Sequence, residues 1–233
     1  MDCYEVMRTT FSAREFTGES LPNTVLYEIL DHARFAPSGG NRQGGRVIIV
    51  RNQATKDEMA RLAEPASKRY AAQVAAGESP WNAVIPSGVS DETIEQTPVP
   101  ALLTEPLRRA DVLLIFVVDL RVVAATDQSL GRVGIVGGAS IYPLVWNTLL
   151  AARRAGFGGT LTTISVASEP QVKALLDIPS SFAIAAVLPL GRPVKQLTRL
   201  RRLPVEDFTF TECFGGECLS PNESIRCQPE GKE

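Results

Sequence analysis

The chain has 233 residues, with 24 Lys and Arg against 26 Asp and Glu and a formal charge of −2. Hydrophobic residues make up 44% and charged residues 21%, the balance of a globular domain with enough chain to bury a substantial core. Near-neutral charge excludes a global attraction to nucleic acid or to an anionic membrane, so neither is expected as a partner.

The first sixteen residues mix Asp2, Glu5, Arg8 and Arg14 with few apolar side chains and lack the apolar core of a signal peptide. The longest apolar run, residues 112–118, is too short for a bilayer and is bounded by Asp111 and Asp119. A cytoplasmic location is therefore expected. Within the N-terminal segment, residues 8–14 (RTTFSAR) hold two arginines and three hydroxyls. In an extended chain Arg8, Thr10, Ser12 and Arg14 project to one side, which suits a phosphate and an anionic ring edge. An exposed polar segment is the plainer alternative.

Residues 21–36 read as a helix, with Leu26, Ile29, Leu30 and Ala33 on one face and start signals at Pro22 and Asn23. It should stop near Pro37. The single histidine, His32, lies on this helix beside Asp31 and reads as a surface residue. With one histidine, a His-rich metal site is excluded and no metal site is expected.

The segment PSGGNRQGGR, residues 37–46, links this helix to an apolar strand at residues 46–51. A phosphate-binding loop needs the reverse order, strand then loop then helix. Either the segment is a turn with capping glycines, or Ser38, Asn41 and Gln43 pair with a heterocycle offering donors and acceptors. On the residues alone both readings stay open.

Residues 55–63 are predicted helical, with Thr55 as N-cap and Glu58 closing a capping box. Residues 64–106 contain six prolines and are the least regular part, with helix expected only near residues 66–76. Residues 112–118 form a core strand. Residues 137–155 give the longest helical pattern, expected to be buried nearly all round and to end at Gly156. Short strand character follows at residues 160–164, a helix at 168–176 with Ser168 and Gln171 in capping-box spacing, a strand at 182–190, and a last strand at 205–211. This irregular alternation indicates an α+β fold rather than a doubly wound sheet. Residues 192–202 carry five basic residues and no acid, which suits one small phosphate better than nucleic acid. The tail, residues 212–233, is polar, and its Cys213, Cys218 and Cys227 are expected as free thiols.

Taken together, these segments resemble the nitroreductase family of FMN enzymes over roughly residues 4–211. The most specific match is residues 33–43 (ARFAPSGGNRQ), followed by the N-terminal Ser12, Arg14 and Phe16. The resemblance implies a nitroreductase-like fold: a central, mostly antiparallel sheet flanked by helices, in a homodimer that exchanges its C-terminal strand. It implies one FMN-binding domain over residues 1–211, with residues 64–106 as the substrate-access segment.

The implied cofactor contacts are Arg8, Thr10, Ser12 and Arg14; Pro37, Ser38, Gly39, Asn41 and Gln43; Leu161, Thr162 and Thr163; and Arg201 and Arg202. The family's leading arginines are replaced by Thr10 and Phe11, which leaves the register of Arg8 open. Gly44 and Gly45 stand where the family often has Pro-Trp, a change expected to loosen the loop or open space for substrate. Tyr70 and Trp81 are expected at the substrate mouth.

The activity so implied is a ping-pong transfer of hydride from NADPH or NADH through FMN to a nitroaromatic or quinone acceptor. Arg14 would stabilise charge on the ring and no protein acid would be needed. The alternatives are a flavin store or sensor without turnover, or a specialised relative such as a reductive dehalogenase or flavin-fragmenting enzyme.

Overall fold

The computed structural model describes residues 1–220, which fall into two compact units that divide after Leu197. The first unit is built on a sheet of order β1-β2-β4-β3, from β1 (Gly45–Val50), β2 (Val112–Asp119), β3 (Gly158–Gly159) and β4 (Phe182–Gly191). Every pairing is antiparallel. This is the α+β arrangement expected.

β2 is the reason two helical layers exist. Its sequence VLLIFVVD is apolar on both faces, so both must be covered. Val112, Leu114, Phe116 and Val118 face one side, where α2 (Asn23–Ala33) supplies Leu26 and Ile29 and α6 (Tyr142–Arg154) supplies Val145 and Leu149. Leu113, Ile115 and Val117 face the other, against Met59, Ala60 and Ala63 of α3 (Gln53–Ala75), Leu107 of α5 (Ala101–Arg109) and Val172 of α7 (Glu169–Leu175). Phe116 and Leu114 are fully buried, each contributing roughly 1.5–3 kcal/mol of apolar transfer. The remaining helices of this unit are α1 (Cys3–Thr9) and α4 (Asp91–Gln96).

Several expectations are corrected. α3 runs unbroken through Pro65, so residues 64–106 are far more helical than their prolines suggest. An interior proline costs about 3 kcal/mol, offset here by burying Met59, Leu62, Ala63 and Ala66 along one face. The N-cap of α3 is Asn52, whose side chain accepts from the Thr55 N–H, so Thr55 lies inside the helix. Ser168 does not cap α7; its hydroxyl donates to the Leu62 carbonyl at 2.8 Å. α6 buries only Val145, Thr148, Leu149 and Ala152, and leaves Tyr142 and Trp146 more than 40% exposed. Gly156 ends the helix with φ +83°.

In the second unit, residues 205–211 form a 3-10 turn at Val205–Asp207 and join no ladder among the described residues. Strand geometry needs a ladder to a second segment, and here the Thr211 N–H makes one backbone bond, to the Glu217 carbonyl at 2.6 Å. Cys218 is disulfide-bonded, contrary to the expectation of free thiols, while Cys213 and Cys3 are free. Cys227 lies outside the described residues. Among those described, no helix is long and apolar enough to cross a membrane, and no three His, Cys, Asp or Glu side chains gather to hold a metal.

Candidate functional site

The site begins at the sheet edge beyond β3. The chain leaving α1 runs alongside it: Ser12 bridges Gly159, and the Ala13 N–H donates to the Gly159 carbonyl at 3.0 Å. This approach requires glycine. A Cβ at position 159 would overlap the Pro189 carbonyl, and one at 158 would press on Pro193. Past β3, Thr162 pairs with Val187 through two backbone hydrogen bonds of 3.0 and 2.9 Å, which fixes the strip Thr160 to Thr163 as a floor.

Over that floor lies a cleft of about 610 Å³, a size suited to a cofactor or drug-like ligand. Arg14 and Pro189 share its floor, Leu102, Leu103 and Pro106 of α5 form a wall, and Tyr70 and Trp81 stand at its mouth. The structure therefore brings together Arg14, Leu161, Thr162, Thr163, Tyr70 and Trp81, which lie far apart in sequence. Arg14 is the one charged side chain in the lining, and no carboxylate faces the cleft among the described residues. Its guanidinium reaches the Ser12 carbonyl only at 3.4 Å, leaving donors for a ligand. The Thr162 hydroxyl accepts from the Ile164 N–H at 3.3 Å. Next to the cleft, Ser12, Arg14, Glu15 and Lys195 line a smaller depression of about 220 Å³, where two cations and a hydroxyl could meet a phosphate beside one carboxylate.

Other residues marked in the sequence sit elsewhere. Arg8 is exposed on the last turn of α1, outside the cleft lining. Thr10 is 4% exposed, and its hydroxyl donates to the Val6 carbonyl at 2.7 Å. Pro37, Ser38, Gly39, Asn41 and Gln43 form a separate loop. There the Ser38 hydroxyl accepts from the Gln43 N–H at 3.0 Å, and the Gly39 N–H donates to Ser140 at 3.2 Å. Gly40, Asn41 and Gln43 all have positive φ, near 50–60°, a concentration of backbone strain of the kind found at ligand clamps.

Gly44 and Gly45 do not open space in this loop. A Cβ at 44 would overlap Val122, and one at 45 would press on Ile141. Ser140 is itself positioned from the preceding loop, where the buried Asp127 accepts from the N–H groups of Ile135 and Val136 and from Arg132. Those donors, Ile135 foremost, hold the Asp127 carboxyl below its usual range. Arg201 and Arg202 belong to the second unit and are exposed, Arg202 donating to the Arg201 carbonyl at 2.6 Å.

Around Trp81 stand residues outside the cleft lining that sequence reading missed. The Arg69 guanidinium lies 4.5 Å from the centre of the Trp81 ring. Gln73 is 2% exposed, and its Oε1 accepts from the Trp81 N–H at 3.2 Å. Glu78 accepts from the Ser87 hydroxyl at 2.6 Å and the Gly88 N–H at 2.7 Å. The Ser87 bond first, then Gly88 and the Gln73 side chain, lowers its pKa. The signal was a lone glutamine in the alanine-rich stretch AAQVAAG, too slight to read without the fold.

Comparison with known proteins places the chain among flavin enzymes. The family model described as the nitroreductase family matches residues 7–192. An NADH dehydrogenase of Thermus thermophilus is 30% identical over 198 residues, 84% of this chain and 88% of the relative. An NAD(P)H FMN reductase of Bacillus subtilis is 25% identical over 204 residues, 87% and 70% of the two chains. Among solved structures, the fold is similar to an iodotyrosine deiodinase bound to FMN and 3-iodo-L-tyrosine (TM-score 0.63, 21% identity, 88% and 96% covered). It is also similar to nitroreductase A of Vibrio parahaemolyticus (TM-score 0.65, 20% identity, 92% and 77% covered).

Proposed function

The chain belongs to the nitroreductase family, and from that premise we propose that it is an FMN-dependent oxidoreductase. It takes electrons from NADPH or NADH and passes them to a small organic acceptor of the nitroaromatic or quinone type. The observation that carries this reading is the convergence of Arg14, Thr162, Thr163, Tyr70 and Trp81 on one cleft whose lining holds one arginine and no carboxylate. That donor set fits a planar ring with an anionic edge.

FMN held in this cleft would supply the hydride-transfer chemistry between nicotinamide and acceptor. The chain's own residues do the rest. Arg14 orients the ring and offsets negative charge on it. The Thr160 to Thr163 strip, held by Val187, sets the height of the floor. Ser12 and Lys195 would receive the phosphate, with Arg8 as a further candidate for that role. Leu102, Leu103 and Pro106 exclude water, and no side-chain acid is required.

A second copy of the chain completes the site in this reading. The loop bearing Ser38, Asn41 and Gln43 lies outside the cleft, with Asn41 and Gln43 exposed. The same chain exposes Tyr142 and Trp146 on α6, and Phe35 just before the loop. An apolar face beside a strained amide-rich loop is suited to a two-fold interface.

The test is the absorbance spectrum of the purified protein, followed by anaerobic NADPH and then NADH. Flavin bands that bleach are expected. Bands that persist with both would favour a store or sensor, and failure to take up added FMN would refute the reading.

A further inference from the structure

The segment from Glu78 to Gly88 is tied to itself at its ends. One carboxylate, Glu78, accepts from the Ser87 hydroxyl and the Gly88 N–H. Inside the loop, the Asn82 side chain accepts from the N–H groups of Val84 and Ile85, both at 2.8 Å. The tip is apolar and exposed: Trp81, Val84 and Ile85 are 45%, 88% and 67% accessible.

Trp81 itself has φ +55°, a left-handed conformation that a bulky residue adopts only where its surroundings over-determine it. Gln73, buried on α3, accepts from the Trp81 N–H with its side-chain oxygen, and its backbone carbonyl accepts from the Glu78 N–H at 2.9 Å. Arg69, one turn earlier on α3, covers one face of the indole. The ring also lines the cleft with Tyr70. A buried polar side chain and a strained backbone thus converge on one residue that faces the ligand space.

We propose that Trp81 is the acceptor-selecting side chain of this enzyme, and that Gln73 and Glu78 are positioning residues that hold it at the mouth. The proposal rests on reading the cleft as a flavin oxidoreductase site. Arg69 occupies one face of the indole, so a planar acceptor stacks on the ring's remaining surface. A small inorganic acceptor makes no such contact and is indifferent to Trp81. Gln73 touches neither acceptor nor cofactor, and acts only through where it puts Trp81.

The experiment compares FMN-loaded native protein with Trp81→Ala, Trp81→Phe and Gln73→Met, using a naphthoquinone and ferricyanide as acceptors. Trp81→Ala should raise KM for the quinone about tenfold, the scale of a lost aromatic stack with its burial. The ferricyanide KM should rise by a clearly smaller factor than the quinone KM, with rates expressed per bound flavin. Trp81→Phe should restore most of the quinone affinity. Gln73→Met, close in size but without hydrogen bonds, should reproduce the KM rise with the ring intact.

Quinone KM unchanged in both Trp81→Ala and Gln73→Met would overturn the proposal, as would equal losses with both acceptors. Quenching of protein fluorescence by the quinone, with Trp81→Phe as the blank, tests contact at Trp81 without any flavin. Native protein that takes up no FMN refutes the flavin reading. The quench then decides separately whether Trp81 meets the quinone, and no difference from the blank would overturn the proposal.

Discussion

Gly159 packs its α-carbon directly against the carbonyl of Pro189, so closely that no Cβ fits between them. The contact joins β3 to β4 under the candidate cofactor floor, and the next residues carry Thr162 onto Val187. Substituting Gly159→Ala should therefore force the floor away from β4. We expect a loss of about 1–3 kcal/mol in stability from overpacking, read as a lower denaturation midpoint. Bound flavin should fall with it.

Arg14 is the charged side chain of the cleft lining. Arg14→Met keeps the aliphatic length and removes the guanidinium. Turnover should fall about a hundredfold, the scale of losing one preorganised donor at a charged centre. The flavin spectrum should survive with weakened affinity. Turnover within a few-fold of native would remove Arg14 from the charge-stabilising role.

Trp146 stands 43% exposed on α6 while Val145 and Leu149 point into the core. Trp146→Glu should cost the single chain little, because a charge at an exposed position is tolerated. It should nonetheless convert a particle of about twice the 25.2 kDa chain mass into one of single mass, and release flavin in step. Size-exclusion chromatography with absorbance detection reads both. A native protein that elutes as a flavin-loaded monomer would sink the two-copy site.

Asp127 is 4% exposed and accepts from two backbone N–H groups and Arg132. Its pKa in the folded protein lies below the ordinary 3.8. The ionised form therefore favours the folded state at pH above 3.8, and this contribution is lost as pH falls through the depressed value. Amide exchange at Ile135 and Val136 should accelerate in that acid window. In Asp127→Asn those amides should exchange faster at neutral pH and lose the acid dependence. An unchanged acid profile in the variant would assign the transition to other carboxylates.

The strands were the most legible part of the chain. Residues 112–118 and 182–190 announce themselves because a strand buried on both faces needs an unbroken apolar run. The proline-rich stretch misled because local propensity penalises Pro65, whereas the face formed by Met59, Ala63 and Ala66 is rewarded only once β2 is there to receive it. The family resemblance implied one flavin site for Arg14 and residues 161–163, with Tyr70 and Trp81 at its mouth, whereas periodicity and composition alone could not join them. Their meeting depends on Ser12 lying beside Gly159, a long-range bridge with no sequence period. Gln73 was illegible for a related reason: its partner, the Trp81 N–H, exists as a target only when the loop has closed.

The self-closure of residues 78–88 also bears on how such a chain can change. Glu78, Ser87 and Gly88 tie the two ends together, so the sequence between them is mechanically insulated from the sheet. Its tip beyond Trp81, at Val84 and Ile85, can vary between the same anchors while Gln73 and Arg69 keep Trp81 in place. Divergence in what is reduced is thereby uncoupled from the machinery that does the reducing.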